Sequence, residues 1–142
     1  MSLLSELYVS SATDAPRYDD SPEPFAPHRA QYQGLTYEEF ANLWAVLCDR
    51  EPIDGDADAF DTLLNVDGGQ RLIHRFPDDF VTRLAALSEH DLESVAAKWI
   101  QHGELSFMEC SPSDVMPILE SLRNLAVVAE KEQKLLCLWM CV

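Results

Sequence analysis

Apolar, strand-favouring stretches lie at the two opposite ends of the 142-residue chain. Residues 3–10 carry Leu4, Leu7, Tyr8 and Val9, and residues 135–142 form a nearly unbroken apolar run ending in Met140, Cys141 and Val142. Side chains of this kind favour strands. A strand must also find partners for its backbone N–H and C=O groups. The economical solution lays the first strand beside the last. Almost everything between them has helical periodicity, so this one pairing defines the fold. The expectation is an α+β protein, mostly helical, with about five helices packed on a small sheet formed by the N-terminal and C-terminal strands. A brief extended segment at Leu72-Ile73 is a candidate third strand. The length suits a single domain over residues 1–142. A chain of this size buries roughly two thirds of its unfolded surface, so a core forms without disulfide staples.

The helices have local signals. Thr36 and Glu39 have the spacing of a capping box. Behind them Phe40, Leu43, Trp44, Leu47 and Cys48 form one apolar face. A short helix is expected over residues 57–64, followed by a turn at Asp67-Gly68-Gly69. Pro77 marks the start of a helix with Phe80, Leu84 and Leu87 inward. Ser88 and Asp91 open the next, whose inner face is Leu92, Val95, Ala96, Trp99 and Ile100, and which ends at Gly103. The last helix is the clearest. Ser111 is its N-cap, Pro112 its first residue, and Asp114 complements its dipole.

One long segment has no such pattern. Residues 13–34 hold four prolines (Pro16, Pro22, Pro24, Pro27) and the acids Asp14, Asp19, Asp20 and Glu23. This reads as a long Pro-rich acidic loop, and loops of that length in compact domains are commonly functional or mobile. Tyr18, Phe25, His28 and Tyr32 give it the means to pack on the body of the protein.

Charge narrows the function classes. The chain has 25 acidic and 10 basic residues, a net charge of −15, and residues 1–62 alone hold 13 acids against 3 arginines. Such a field repels phosphate backbones and anionic lipid surfaces. Nucleic acid and membrane are therefore poor partners, and a basic protein surface is a better one. Acidity that serves only solubility is the bland alternative.

The catalytic inventory is thin. Asp54, Asp56 and Asp58 have the D-x-D-x-D opening of a calcium loop. Ala59 then stands where that loop needs glycine, Asp61 where it needs an apolar residue, and Asn65 where it needs a bidentate glutamate. The EF-hand reading fails, and the simpler reading has Asp56 capping the short helix. His28, His74, His90 and His102 show no metal-ligand spacing and read as surface or capping residues. Cys48, Cys110, Cys137 and Cys141 lack C-x-x-C spacing and read as reduced thiols. Cys110 beside a helix start is the one candidate nucleophile, with His102 near it in sequence. There is no Walker loop, dinucleotide fingerprint or G-x-S-x-G. No metal and no cofactor is implied.

The leading expectation is a binding protein, not an enzyme. It presents an acidic surface to a basic protein, with Asp54, Asp56, Asp58 and Asp61 steering and Tyr18 and Phe25 as anchors. Immunity or inhibitor-type proteins that neutralise a basic effector offer an analogy of charge and size. The N-terminus lacks a positively charged start and a long apolar run, so the expected location is cytoplasmic. Two alternatives stand beside this. One is a small-molecule or cation-binding domain with a pocket under the 13–34 loop. The other is a dimerisation module that forms a homodimer through an open face of the final strand, either Leu136, Leu138 and Met140 or Cys137, Trp139 and Cys141.

Overall fold

In a computed structural model, residues 3–25 and 28–142 are described. Pro27 lies outside the described residues. Five strands and five α-helices follow in the order β1 (Leu4–Ser10), β2 (Arg29–Gln33), α1 (Tyr37–Leu47), α2 (Gly55–Asp58), β3 (Thr62–Val66), β4 (Arg71–Arg75), α3 (Asp78–Ala85), α4 (Glu89–Trp99), α5 (Pro112–Glu132) and β5 (Leu135–Cys141).

The strands form one antiparallel sheet in the order β2-β1-β5-β4-β3. The first strand does lie beside the last, in register from Leu4↔Cys141 to Ser10↔Leu135. The sheet is not confined to the termini, however. β4 extends it where Leu72-Ile73 predicts a strand. β2 arises inside residues 13–34, and β3 occupies residues assigned above to the end of a short helix; only α2, a single turn, remains of that helix. Both β2 and β3 are short edge strands with few apolar side chains. β2 (Arg-Ala-Gln-Tyr-Gln) is polar along one side because that side meets water. In β3 the register shifts between Thr62 and Leu64, and this irregularity makes Leu63 and Leu64 consecutive apolar residues, which hides the period of two.

The helices cover one face of the sheet. Leu7, Val9, Leu136, Leu138 and Met140 point from the strands into a core with Phe40, Leu43, Phe80, Leu84, Trp99 and Leu119. The capping box of α1 forms with Thr36 and Glu39, and that of α5 with Ser111 and Asp114 behind Pro112 at the first turn. Gln133, in left-handed conformation at φ 55°, ends α5 and turns the chain into β5. The indole of Trp99 is fully buried and donates 2.8 Å to the carbonyl of Glu39, which fixes α4 to α1.

The other face is covered by the Pro-rich segment. A 3-10 turn over Ala15–Asp19, with Pro16 at its start, lays Ala15 and Tyr18 on Tyr8, Ile73 and Cys137. Tyr18 stacks on Tyr8 with centroids 4.0 Å apart, and Phe25 meets Tyr8 edge-on at 5.2 Å. Both faces of β5 are therefore filled by the chain itself, Leu136, Leu138 and Met140 under the helices and Cys137 and Trp139 under the 3-10 turn. β5 also has a strand on either side. Among the described residues neither face of β5 is open along its length; of the two sets of side chains on which the homodimer expectation rests, only Trp139 and Cys141 are half-exposed. Among the described residues no helix is long and apolar enough to cross a membrane.

Candidate functional site

The acidic segment runs from the end of α1 to the start of β3. Asp49, in left-handed conformation at φ 55°, turns the chain out of α1. Pro52 and the single turn α2 then carry it round to Thr62. Asp54, Asp58 and Asp61 are exposed, as are Asp49 and Glu51. None of the five forms an ion pair among the described residues, although all seven arginines do. Lys98 and His102 share a surface groove with Asp49 and Glu51. Asp54, Asp58 and Asp61 are outside that groove and keep their charge uncompensated.

Asp56 belongs to the scaffold of this segment. It is 4% exposed, and its oxygens accept from Arg50 at 2.9 and 2.6 Å and from the Ile53 N–H at 2.9 Å. It is not the cap of α2: Asp54 holds the N-cap position, without a side-chain capping bond. Hydrogen bonds from the Arg50 guanidinium hold the Asp56 carboxyl below its ordinary range, against the opposing effect of burial. Arg50 also lies over the ring of Trp44, 5.8 Å from its centroid. The Asp56–Arg50 pair thus closes residues 50–56 into a hook.

At the tip of that hook is Ile53, 64% exposed. Sequence reading missed it as a functional candidate. A signal was available: Ile53 follows a proline within an aspartate-rich run and has no large apolar residue three or four positions away, so it has no core face to join.

Tyr18 and Phe25 are elsewhere. Tyr18 is 2% exposed; its ring stacks on Tyr8, its hydroxyl donates to Glu6, and the Arg29 guanidinium lies 5.4 Å above it. Burial, then the bond to Glu6, raises its phenol above the usual range. To anchor a partner it would have to leave this stack. Phe25 is half-buried and lines a cleft of about 710 Å³ between the Pro-rich segment and the end of β1. The cleft also holds Arg17, His28 and Lys134, opposed by Asp14 and Asp20. Arg17 pairs with Asp14 at 3.1 Å, both of them exposed.

The remaining candidates separate. His74 is not a surface residue; it is buried in β4, on the helix-covered side of the sheet. His90 is exposed and His102 half-buried. All four cysteines are free thiols, and no hydrogen bond joins Cys110 to a histidine among the described residues. In the same residues no three His, Cys, Asp or Glu side chains come together as a metal-ligand set.

The fold and this site define an α+β protein with an acidic hook between α1 and β3. Comparison with protein-family models, with curated proteins and with solved structures finds no match to the chain.

Proposed function

We propose that the chain is a non-enzymatic, cytoplasmic protein-binding module whose acidic hook engages a basic protein, in the manner of an immunity or inhibitor protein. The observation that carries this is Ile53: a 64% exposed apolar side chain, held out by the Asp56–Arg50 pair, with the exposed carboxylates of Asp54, Asp58 and Asp61 close by in the chain. An exposed apolar side chain in an acidic stretch of chain suits a partner with a small apolar pocket set among lysines and arginines. The carboxylates steer the encounter, and Ile53 resists dissociation. Asp56 acts by shaping the hook. Affinity capture from the native cell at low salt, followed by elution at high salt and mass spectrometry, tests the reading. It expects a stoichiometric basic protein in the high-salt fraction. Recovery of the bait alone at low salt argues against it.

The 710 Å³ cleft favours a second reading, a small-molecule site under the Pro-rich segment. Its volume lies within the range of ligand pockets, and it combines an apolar wall at Val9, Pro24 and Phe25 with charged side chains of both signs. Thermal-shift screening of small zwitterions and cations tests it. A saturable shift that Phe25→Ser abolishes supports this reading, and no shift across the panel removes it.

A further inference from the structure

The imidazole of His74 is 5% exposed, and its Nε2 is buried without any hydrogen-bond partner among the described residues. It is the only such side-chain atom there. Buried polar atoms are nearly always paired, so one that is not calls for a physical reason. The other ring nitrogen, Nδ1, lies 3.2 Å from the Phe60 carbonyl and 3.4 Å from the Thr62 hydroxyl. A carbonyl only accepts, so Nδ1 carries the proton and Nε2 is a bare lone pair. The ring therefore holds the last residues of the acidic segment where they enter β3. Directly beside it, the Arg75 N–H donates 2.8 Å to the Asp61 carbonyl, and Thr62 pairs with His74 just before the register irregularity of β3.

We infer that His74 is a pH-sensitive latch: neutral, it fastens the Phe60–Thr62 end of the acidic segment to the sheet, and on protonation it lets go. A proton on Nε2 creates a second N–H donor and a charge, both in an apolar setting with no acceptor. The groups around the ring offer no relief. From α1 the phenol ring of Tyr37 faces it at 4.6 Å. β5 contributes Leu138, and the β3 side contributes the Phe60 carbonyl and the Thr62 hydroxyl. Among the described residues no carboxylate or cation acts on it. Burial, only partly offset by the Phe60 carbonyl, holds the imidazole below its ordinary pKa.

The sign follows from linkage. Above about pH 6.5 neither the latched nor the released form binds the proton, and the latch has its full strength. Below that, the released form takes up a proton that the latched form refuses. Release is then favoured about tenfold for each further pH unit, until the pKa of the latched form is reached. The consequence for partner binding rests on the reading of the hook proposed above; the latch itself does not.

Hydrogen exchange tests the latch without any partner. Protection of the amides of Thr62–Val66 and of Arg75 is measured at pH 7.5 and 5.0, corrected for intrinsic rates, and referred to amides in the β1–β5 pairing. The wild-type protein is expected to lose relative protection at pH 5.0, by up to about thirtyfold, the ceiling set by a pH about 1.5 units below the ordinary imidazole value. His74→Gln, whose amide N–H can still donate to Phe60 but which does not titrate in this range, is expected to show no such change. Should His74→Gln not fold, His74→Leu serves the same comparison. Wild-type protection that is unchanged by pH overturns the latch. So does a loss that spreads equally to β1 and β5, or one that the variants share. Because no partner is involved, failure here leaves the binding reading untouched.

Discussion

The indole Nε1 of Trp139 donates a 2.9 Å hydrogen bond to Oδ1 of Asp19, across 120 positions of sequence. The Arg71 guanidinium meets the same carboxylate through Nε, at 2.9 and 3.1 Å from its two oxygens. One side chain on the 3-10 turn thereby ties β5 and β4 to the Pro-rich segment. This pin, together with the Tyr18–Tyr8 stack, turns that segment into a cover for the second face of the sheet. Asp19→Ala removes bonds to a charged group worth about 1.5–3 kcal/mol each in such settings, but Trp139 and Arg71 retain partial access to water. The expected loss is about 2–3 kcal/mol in urea unfolding, with tryptophan emission shifted to the red in the folded state. A loss below about 0.5 kcal/mol, in the range of ordinary surface changes, means the cover is held by packing alone.

Asp56 and Asp58 are two positions apart and are expected to behave as opposites. Asp58 is exposed and unpaired among the described residues, so Asp58→Asn leaves stability within about 0.5 kcal/mol. Asp56→Ala strands the Arg50 guanidinium and the Ile53 N–H, and is expected to destabilise by about 2 kcal/mol or more. The pH dependence follows the depressed carboxyl. The contribution of the pair is complete above about pH 4, the unfolded value for aspartate, and is lost as the pH falls through the lower folded value. Acid unfolding of the wild type and of Asp56→Ala should therefore converge at low pH. Parallel curves down to the acid limit contradict this assignment.

Cys137 is fully buried under the 3-10 turn, and burial pushes its thiol up to about 12. A thiol in that state does not supply thiolate at pH 8. Alkylation of the native protein with iodoacetamide should spare Cys137 and reach it only after unfolding, as peptide mapping would report. Native labelling of Cys137 at the rate of half-buried Cys48 means the cover opens readily.

The sequence carries the helical layer almost completely, because capping residues and 3.6-residue periodicity are local signals: Thr36 with Glu39, Ser111 with Asp114, and Pro112 all act within one turn. The pairing of β1 with β5 is also legible, since two apolar runs with unmet backbone groups leave few alternatives. β2 and β3 are not legible. β2 alternates, but its apolar side offers only Ala30 and Tyr32 just after a Pro-rich stretch, and in β3 the irregularity at Thr62/Leu64 breaks the period of two. The site is legible in charge but not in detail. Counting aspartates locates the acidic segment. That Arg50 takes up Asp56, and that Ile53 is left outside, depends on how a seven-residue stretch folds back on itself. The burial of Tyr18 depends on contacts with β1, and that of His74 on contacts with α1 and residue 60.

On the function proposed above, the hook and its charge, not the overall acidity, make the binding surface. With the partner recovered by capture, association and dissociation rates would be compared at low and high salt for the wild type, Ile53→Ser, and the triple change Asp54→Asn, Asp58→Asn, Asp61→Asn. The triple variant should associate at least tenfold more slowly at low salt and lose most of its salt dependence. Ile53→Ser should chiefly speed dissociation. Rates for both variants that match the wild type, with folding intact, would contradict the central claim.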